Sequence, residues 1–504
     1  MPASSRSTDP ASLPLASANE MISGIGMTPI EAVLVVGGLA LVLARWLPPR
    51  FRRRVAIGAA AVSLASAAVL AVVGLRWQMI PVLVAVVVVL PFTARTMWGK
   101  PGGRRIRWWL AGPGSAAGVL AIVAGLGAAV AFPIPDFPTP TGTYAVGTTV
   151  IEWTEPDRPE TWTTDADDVR ALQAQIWYPA EASPDEAERA FYLGRSEAEA
   201  NAVAEGVGHF LGIPRFVFDS QVVARTNAVP DGPVAHDLER FPVVLFSPGG
   251  GMGRTTNTAW AEELASHGYV VAALDHPYDT AAVRFADGRT VRRAEQVRRQ
   301  ERAGFDAYRL AERLAAVRAS DLSSALTHLG RLDSGDVRSI LAGRLNTDRA
   351  AVVGMSAGVG GAFQAARTDE RFSAVIALDG RPYDGDPGPY DQPVLALTSQ
   401  IGLEDNPTYL PDLGRALERS TTTAYMLTIP GTAHPTFTDA PLWMPPVPSL
   451  VGSLGRTEGN RIITEMTLGF LDAELRDQPT NLPGLFSEHG FSEHGELTVY
   501  DADE

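Results

Sequence analysis

Four apolar stretches follow one another in the first quarter of this chain, and no other feature of the 504-residue sequence limits its fold as strongly. Each stretch is close to the ~20 residues that a helix needs to cross the hydrocarbon core of a bilayer. The stretches are residues 28–47, 55–75, 77–94 and 108–132. A buried core helix would account for any one of them, but four in succession with aromatic and arginine flanks favour membrane spans. We therefore predict four transmembrane helices.

The basic residues between these stretches predict the orientation. Five arginines lie in the first loop, four arginines and Lys100 lie in the third, and the second loop contains only Arg76. Because basic loops stay cytoplasmic, the chain should begin outside, cross the cell membrane four times and place everything after Phe132 outside. Residues 1–27 lack the basic region of a signal peptide and resemble a disordered tail. The last three stretches have ionisable side chains only at their edges, so anchoring is favoured over transport.

Cysteine content and charge exclude several classes of function. The chain has no cysteine, which excludes disulfides, thiolate zinc sites, iron–sulfur ligation and a cysteine nucleophile. Of the net charge of -15, residues 1–133 carry +9, which leaves -24 for the remainder. An acidic domain of this kind is not expected to bind nucleic acid.

From residue 143 onward, short β-rich runs alternate with runs of helical periodicity. Six of the β-rich runs are continuously apolar, as is typical of parallel strands covered on both faces. The pattern predicts an α/β fold with its chemistry at the carboxyl ends of the strands. Residues 183–235 interrupt the pattern with a helical insertion that either covers a pocket or is an ordinary surface excursion. The predicted parts are a tail (1–27), a membrane region (28–133), a proline-rich linker (134–142), a catalytic domain (143–477) and an acidic tail (478–504).

A Gly-x-Ser-x-Gly motif places Ser356 between a predicted buried strand and a helix of small residues. In a nucleophile elbow the serine occupies a strained strand-to-helix turn, so its neighbours must be glycine-sized. A glycine-rich turn without chemistry is the alternative, which the flanking strand and helix disfavour. We therefore predict that Ser356 is a nucleophile.

A serine hydroxyl needs an adjacent base, and in this class of fold the base follows the serine in the chain. Three histidines follow Ser356, and two of them lie in a duplicated tail segment, residues 486–495. His434, just after a predicted strand, is therefore the candidate base. The orienting acid is either Asp379, after the strand that follows the nucleophile strand, or Glu404 or Asp405, after the next one; spacing alone does not separate them.

Backbone N–H groups are needed to hold the oxyanion of an ester in the transition state. One is expected from Ala357, directly after the nucleophile. The other is expected from the glycine loop that ends an earlier strand, with Gly250 as first choice and Gly251 as the reserve. A phosphate-binding loop is disfavoured because the Lys-Ser/Thr ending of a P-loop is missing. The histidines and glutamates of the tail duplication could bind metal, but a frayed tail is favoured, and no metal or cofactor is expected.

Several segments resemble the platelet-activating factor acetylhydrolase family of the plasma, or isoform II, type over roughly residues 138–475. The resemblance implies an α/β-hydrolase fold with a Ser-His-Asp triad, and it favours Asp379 over Glu404 and supports Gly250. Two positions depart from the family: Met355 stands where a histidine is common before the nucleophile, and Pro248-Gly249-Gly250 stands where His-Gly-Leu is common. The matching segments are residues 140–149, 175–179, 265–273, 378–380 and 431–439.

These features together predict a membrane-anchored serine ester hydrolase. The expected substrates are short-acyl or oxidised phospholipids like platelet-activating factor, or other lipid esters. General carboxylic or polymeric esters and enol-lactones are the alternative substrates. A degenerate hydrolase fold that acts as a surface sensor or binding module is the non-enzymatic alternative, although such a role gives no reason to retain Ser356, Asp379 and His434 together.

Overall fold

The computed structural model of the chain describes residues 26–98, 108–181, 187–237, 239–302, 307–383, 388–403, 408–479, 481–488 and 496–500. The chain divides into two compact units, one up to Ile134 and one from Pro135 onward. Several predicted features lie outside the described residues: most of the N-terminal tail, His489 and His494 of the tail duplication, and the alternative acids Glu404 and Asp405.

The first unit consists of helices, one at each predicted span. They are α1 (Pro29–Leu43), α2 (Pro49–Val73), α3 (Ile80–Trp98) and α4 (Trp108–Ala131). By length and composition, four helical segments are suited to crossing a membrane. The one carboxylate of the first predicted span, Glu31, is buried and forms an ion pair of 2.7 Å with Arg76, so its charge is not left unpaired.

A ten-stranded sheet forms the centre of the second unit, as far as the structure describes it, in the order β12-β11-β10-β9-β8-β4-β5-β2-β1-β3. The six strands from β11 to β5 in this order are parallel neighbours, and β2 and β12 pair antiparallel to them. A two-stranded ribbon, β6 with β7, lies apart from the sheet. The strands are β1 (Ala145–Pro159), β2 (Val169–Ala180), β3 (Val229–Pro230), β4 (Phe241–Ser247), β5 (Val270–Asp275), β6 (Ala282–Arg284), β7 (Thr290–Arg292), β8 (Leu345–Met355), β9 (Phe372–Leu378), β10 (Val394–Ile401), β11 (Ala424–Ala433) and β12 (Glu496–Tyr500).

Helices cover both faces of the sheet and enclose two apolar cores. One core places α9 and α10 against the sheet, and the other places α7 and α13 against the opposite face. The central strands are therefore buried on both sides, which is why their sequences are continuously apolar. The helices are α5 (Glu197–Leu211), α6 (Asp219–Val223), α7 (Thr258–Ser266), α8 (Glu295–Arg302), α9 (Ala307–Asp333), α10 (Ala357–Thr368), α11 (Tyr409–Leu417), α12 (Pro448–Val451), α13 (Glu458–Arg476) and α14 (Leu482–Glu488).

The arrangement is the α/β-hydrolase fold, a mostly parallel sheet flanked by helices, as predicted from the sequence. All six strands expected from continuously apolar runs are present, with their ends moved by a few residues. Because the carboxyl ends of parallel strands meet at one edge, the residues after β4, β8, β9 and β11 are brought to the same edge of the sheet.

Candidate active site

Ser356 occupies a sharp turn between β8 and α10. Its backbone has φ +54° and ψ -119°, a strained conformation for a residue with a side chain. A Cβ atom added at Gly354 would lie 2.4 Å from the backbone of Gly358, and one added at Gly358 would lie 2.0 Å from the carbonyl oxygen of Ser247. Only glycine fits at these two positions, so the motif has the geometry of a nucleophile elbow.

Asp379 and His434 form a hydrogen-bonded pair at the same edge of the sheet. Asp379 follows β9, has φ +46° and is 5% exposed. Its Oδ2 lies 2.6 Å from Nδ1 of His434, which directly follows β11. Since a carboxylate only accepts hydrogen bonds, this contact assigns a proton to Nδ1, and in the neutral ring Nε2 is then the acceptor. The imidazole therefore has the tautomer that a general base needs.

Two further groups hold the other oxygen of Asp379. The backbone N–H of Ser399 donates to Oδ1 at 2.8 Å, and the hydroxyl of Tyr409 donates to it at 3.2 Å. Burial, together with the nearby charge of Asp379, raises the pKa of the Tyr409 hydroxyl well above its usual range, so this hydroxyl remains a donor. Nothing in the sequence around Tyr409 marks it as a partner of Asp379.

Ser356 lies next to Asp379 in the fold, but it is not joined to His434 by a hydrogen bond. Met355 and Leu378 are partners across β8 and β9, and a Cβ atom at Gly380 would lie 2.3 Å from the carbonyl oxygen of Ser356. Among the described residues, the Ser356 hydroxyl makes no hydrogen bond. Hydrogen bonds between a nucleophile and its base are often long without substrate and tighten when the substrate binds.

The glycine loop after β4 lies over the start of α10. A Cβ atom at Gly250 would lie 3.5 Å from Cβ of Ala357, and one at Gly249 would lie 3.5 Å from Cβ of Ser356. The Gly250 N–H has no acceptor among the residues that the structure describes. Ala357 is the first residue of α10, so its N–H has no partner within the helix. The two predicted oxyanion donors are therefore neighbours with unused N–H groups. Met355 is buried, and a Cβ atom at Gly249 would lie 3.2 Å from its Sδ, so Met355 packs against this loop.

The insertion at residues 183–235 reaches the candidate site from two sides. A Cβ atom at Gly251 would lie 2.5 Å from the ring of Phe210 in α5, so that ring rests directly on the glycine loop. The ring of Phe218 lies 5.9 Å from that of Trp443, in the segment after His434. These contacts bring Phe210 against the glycine loop and Phe218 against the segment that follows His434. Within the described residues there is no cluster of potential metal ligands.

Known proteins resemble this chain in sequence over the second unit. A model of the family described as platelet-activating factor acetylhydrolase, isoform II, matches residues 130–482. A platelet-activating factor acetylhydrolase from Cavia porcellus is 31% identical over 153 residues, which are 28% of this chain and 35% of that protein. One from Bos taurus is 27% identical over 265 residues, which are 46% of this chain and 57% of that protein. The chain therefore spans only part of the length of the curated relatives that it matches.

A solved structure extends the likeness to almost a whole protein. A ferulic acid esterase from Streptomyces cinnamoneus aligns with a TM-score of 0.57 and 27% sequence identity, and the alignment covers 69% of this chain and 95% of that one. This likeness confirms the predicted fold.

Proposed function

Because this chain belongs to the platelet-activating factor acetylhydrolase family, isoform II, we propose that it is a serine ester hydrolase that uses Ser356, His434 and Asp379 as its triad. One observation supports this proposal above the others: Ser356 in its strained turn and the Asp379–His434 pair follow β8, β9 and β11 at the same edge of the sheet. A serine, a correctly protonated imidazole and a buried carboxylate are the parts that acyl transfer requires.

The reaction follows from the roles of these groups. Nε2 of His434 accepts the hydroxyl proton of Ser356 as its oxygen attacks the acyl carbonyl. The N–H groups of Gly250 and Ala357 hold the resulting oxyanion. His434 then protonates the leaving alcohol, and water, activated in the same way, releases the acid and restores the serine. Asp379 keeps the imidazole oriented and stabilises its protonated form. None of these steps calls for a metal or cofactor.

Short-acyl or oxidised phospholipids, or other lipid esters, are the proposed substrates. Support comes from the names of the relatives and from the four apolar helices, which would hold the enzyme at a lipid surface. The test is to compare kcat/KM for phosphatidylcholines that carry an acetyl or a long sn-2 acyl chain. We expect the acetyl substrate to be preferred; equal values would contradict the proposed chain selectivity.

Carboxylic esters outside the phospholipids are the second candidate. This candidate is favoured by the likeness to a ferulic acid esterase over 95% of that chain. Met355 and Pro248, which depart from the family pattern beside the nucleophile, also favour substrates outside the phospholipids. A feruloyl ester that is hydrolysed with a higher kcat/KM than an acetyl phospholipid would establish this second candidate in place of the first. Dienelactone-type and polymeric esters belong to the same comparison.

We also propose that the membrane region, residues 28–133, is a cell-membrane anchor and that the hydrolase domain, residues 143–477, is extracytoplasmic. Arginine-rich first and third loops support this topology. A reporter that is active only outside the cytoplasm should be active when fused after residue 142 and inactive when fused near residue 100. The reverse result would contradict the orientation. A fragment from residue 138 should need no detergent and should keep the kcat of the whole chain.

The alternative to these proposals is a surface sensor with a degenerate hydrolase fold. If the purified protein hydrolysed neither p-nitrophenyl acetate nor short-chain phospholipids, the enzyme proposal would fail and the sensor would replace it.

A further inference from the structure

A second chain of serine, histidine and aspartate lies directly beneath the glycine loop, and it is too deeply buried to bind substrate. Ser247, His276 and Asp321 are 0% exposed. Oγ of Ser247 lies 2.9 Å from Nε2 of His276, and Nδ1 of His276 lies 2.8 Å from Oδ2 of Asp321. The proposed mechanism uses none of these residues.

Arg318 in α9 connects this chain to the glycine loop. It is 1% exposed, and its Nη1 donates to the hydroxyl of Ser247 at 3.0 Å and to the carbonyl of Pro248 at 2.5 Å. Its Nη2 donates to the carbonyl of Gly249 at 3.4 Å. On its other side the guanidinium forms an ion pair of 2.7 Å with Asp279. One side chain thus holds two successive carbonyl groups of the loop.

The chemistry of these groups allows one direction of hydrogen bonding. A guanidinium only donates, so the Ser247 hydroxyl accepts from Arg318. When the His276 ring is neutral, with its proton on Nδ1 facing Asp321, its Nε2 accepts the hydrogen bond from the same hydroxyl. Burial and the charge of Arg318 lower the pKa of His276, in agreement with a neutral ring. Every member of the chain is satisfied, which makes it a rigid support.

The carbonyls that Arg318 binds determine where the N–H groups of the loop point. In a trans peptide the carbonyl of one residue and the N–H of the next point in opposite directions. The carbonyl of Gly249 faces Arg318 and also accepts from the N–H of Met252 at 3.0 Å. The N–H of Gly250 must therefore point away from Arg318. This N–H has no acceptor in the described part of the chain, and Gly250 lies against Ala357.

We infer that Arg318 is a positioning residue for the oxyanion site, held in place by Ser247, His276, Asp321 and Asp279. This inference rests on the proposed function, because it assigns the support of the Gly250 donor in the same reaction. Arg318 touches neither the substrate nor the reacting atoms. It acts by fixing the peptide plane between Gly249 and Gly250, so that the donor is already aligned when the oxyanion forms.

The test compares Arg318→Lys with the same substitution at another buried arginine. Lysine keeps the charge beside Asp279 but has no fork with which to hold two carbonyls. Arg254→Lys is the matched control: Arg254 is 2% exposed and pairs with Glu199 and Asp275, and among the described residues its side chain makes no hydrogen bond to the glycine loop. Ser247→Ala is a second variant, which removes one contact of Arg318 by a small change and so guards against a failure of Arg318→Lys to fold.

The measurements are made on the whole chain in detergent with p-nitrophenyl acetate. Active sites are titrated with a fluorophosphonate, so that kcat refers to folded enzyme. We expect Arg318→Lys to lower kcat about 10-fold to 100-fold with KM nearly unchanged, since an oxyanion donor acts on the transition state. Affinity for a trifluoromethyl ketone, which forms an oxyanion on the serine, should fall in parallel. For Ser247→Ala we expect a loss of kcat of about 3-fold to 10-fold in the same pattern. Arg254→Lys should lower Tm and leave kcat per site unchanged.

Three results would overturn the inference. The first is an Arg318→Lys or Ser247→Ala variant with unchanged kcat per site. The second is an equal loss of kcat in Arg318→Lys and Arg254→Lys, which would indicate general destabilisation. The third is a higher KM with an unchanged kcat. A wild type that is neither labelled nor active is a different result, because it contradicts the proposed function itself and removes the premise of the inference.

Discussion

At the scale of single residues, the candidate site contains two of the five described non-glycine residues that have a positive φ. Ser356 and Asp379 both have positive φ, although neither is glycine. Such conformations cost of order 1–3 kcal/mol each and persist only where the surrounding structure enforces them. Here the enforcement comes from close backbone contacts at Gly354, Gly358 and Gly380, each of which leaves no room for a Cβ atom.

The hydroxyl of Tyr409 is expected to contribute to catalysis through Asp379. Tyr409→Phe removes one donor from a buried carboxylate and leaves the Ser399 N–H and His434 as its partners. Because a hydrogen bond to a charged group contributes about 1.5–3 kcal/mol, we expect kcat to fall by about tenfold, with KM little changed. Steady-state kinetics on p-nitrophenyl acetate measure this effect.

Tyr269→Phe is the control for that substitution. Tyr269 is also buried, and its hydroxyl donates to Asp472 at 2.6 Å, away from the site. This variant should lose stability but keep its kcat. If the two variants had the same kcat as the wild type, Tyr409 would have only a structural role.

At the scale of elements, the sequence predicted the strands better than their connections. The central strands were predictable because burial on both faces requires continuously apolar runs. The short edge strand β12 and the helix α13 were not predicted, because β12 lies in an acidic tail and no motif marks α13. Five site residues were predictable as candidates because each lies in or beside a motif at a strand end, and their roles remain predictions. They are Ser356, Asp379, His434, Gly250 and Ala357.

Arg318 shows why the remaining contacts were missed. Charged residues in a helix usually face solvent, and the partners of Arg318 lie about 40 or 70 residues away in the chain. The sequence of α9 nevertheless indicates that Arg318 is buried. Arg318 and Asp321 lie on the same side of α9 as the buried residues Ala315, Ala319 and Leu322, so two charges interrupt an apolar face. Buried charges of this kind indicate specific partners.

The loop that carries His434 is attached to the N-terminus of α7 through Asp439. Oδ2 of Asp439 accepts from the N–H of Thr258 at 2.7 Å, and Oδ1 accepts from that of Ala259 at 3.1 Å. Asp439→Ala should lower the free energy of unfolding by about 1–2 kcal/mol, because two helix N–H groups lose their acceptor. It should also lower kcat, because His434 is less firmly placed. Thermal unfolding and kinetics measure the two effects.

Ser196→Ala provides the comparison at another helix. The Ser196 hydroxyl accepts from the N–H of Glu199 at the start of α5. Its loss should reduce stability by about 1 kcal/mol without changing kcat. Equal kcat in the two variants would show that Asp439 caps α7 and does nothing for His434.

At the scale of the whole molecule, a buried network of charges makes stability depend on pH. Burial alone would raise the pKa of Asp321, but Arg170 and the hydrogen bond from His276 outweigh it and hold that pKa well below the usual range. Burial would also raise the pKa of Asp279, which Arg318 and Arg293 lower instead. Since the folded-state pKa lies below the unfolded value of about 3.9, these groups stabilise the protein above that pH and lose their contribution as the pH falls.

Asp321→Asn is expected to remove part of this dependence. At pH 7 the free energy of unfolding should fall by about 3–5 kcal/mol, because Arg170 loses a buried partner. Between pH 5 and pH 3 the difference in free energy of unfolding between the variant and the wild type should shrink by about 1 kcal/mol. The reason is that the unfolded wild type takes up a proton that the variant cannot bind. Urea unfolding followed by tryptophan fluorescence measures both values.

The exposed pair of Asp477 with Arg349 supplies the control. Because solvent screens this pair, Asp477→Asn should have the same free energy of unfolding as the wild type at every pH. A constant difference between Asp321→Asn and the wild type from pH 7 to pH 3 would contradict the assignment of the acid sensitivity to Asp321.

The central claim is that Ser356 forms the acyl-enzyme, and covalent labelling with a fluorophosphonate tests it most directly. Mass spectrometry of the labelled chain should locate the adduct on Ser356. Labelling and ester hydrolysis should both be lost in Ser356→Ala, and the rate of labelling should fall strongly in His434→Ala, which lacks the base. Labelling of Ser356→Ala at the rate of the wild type would contradict the claim.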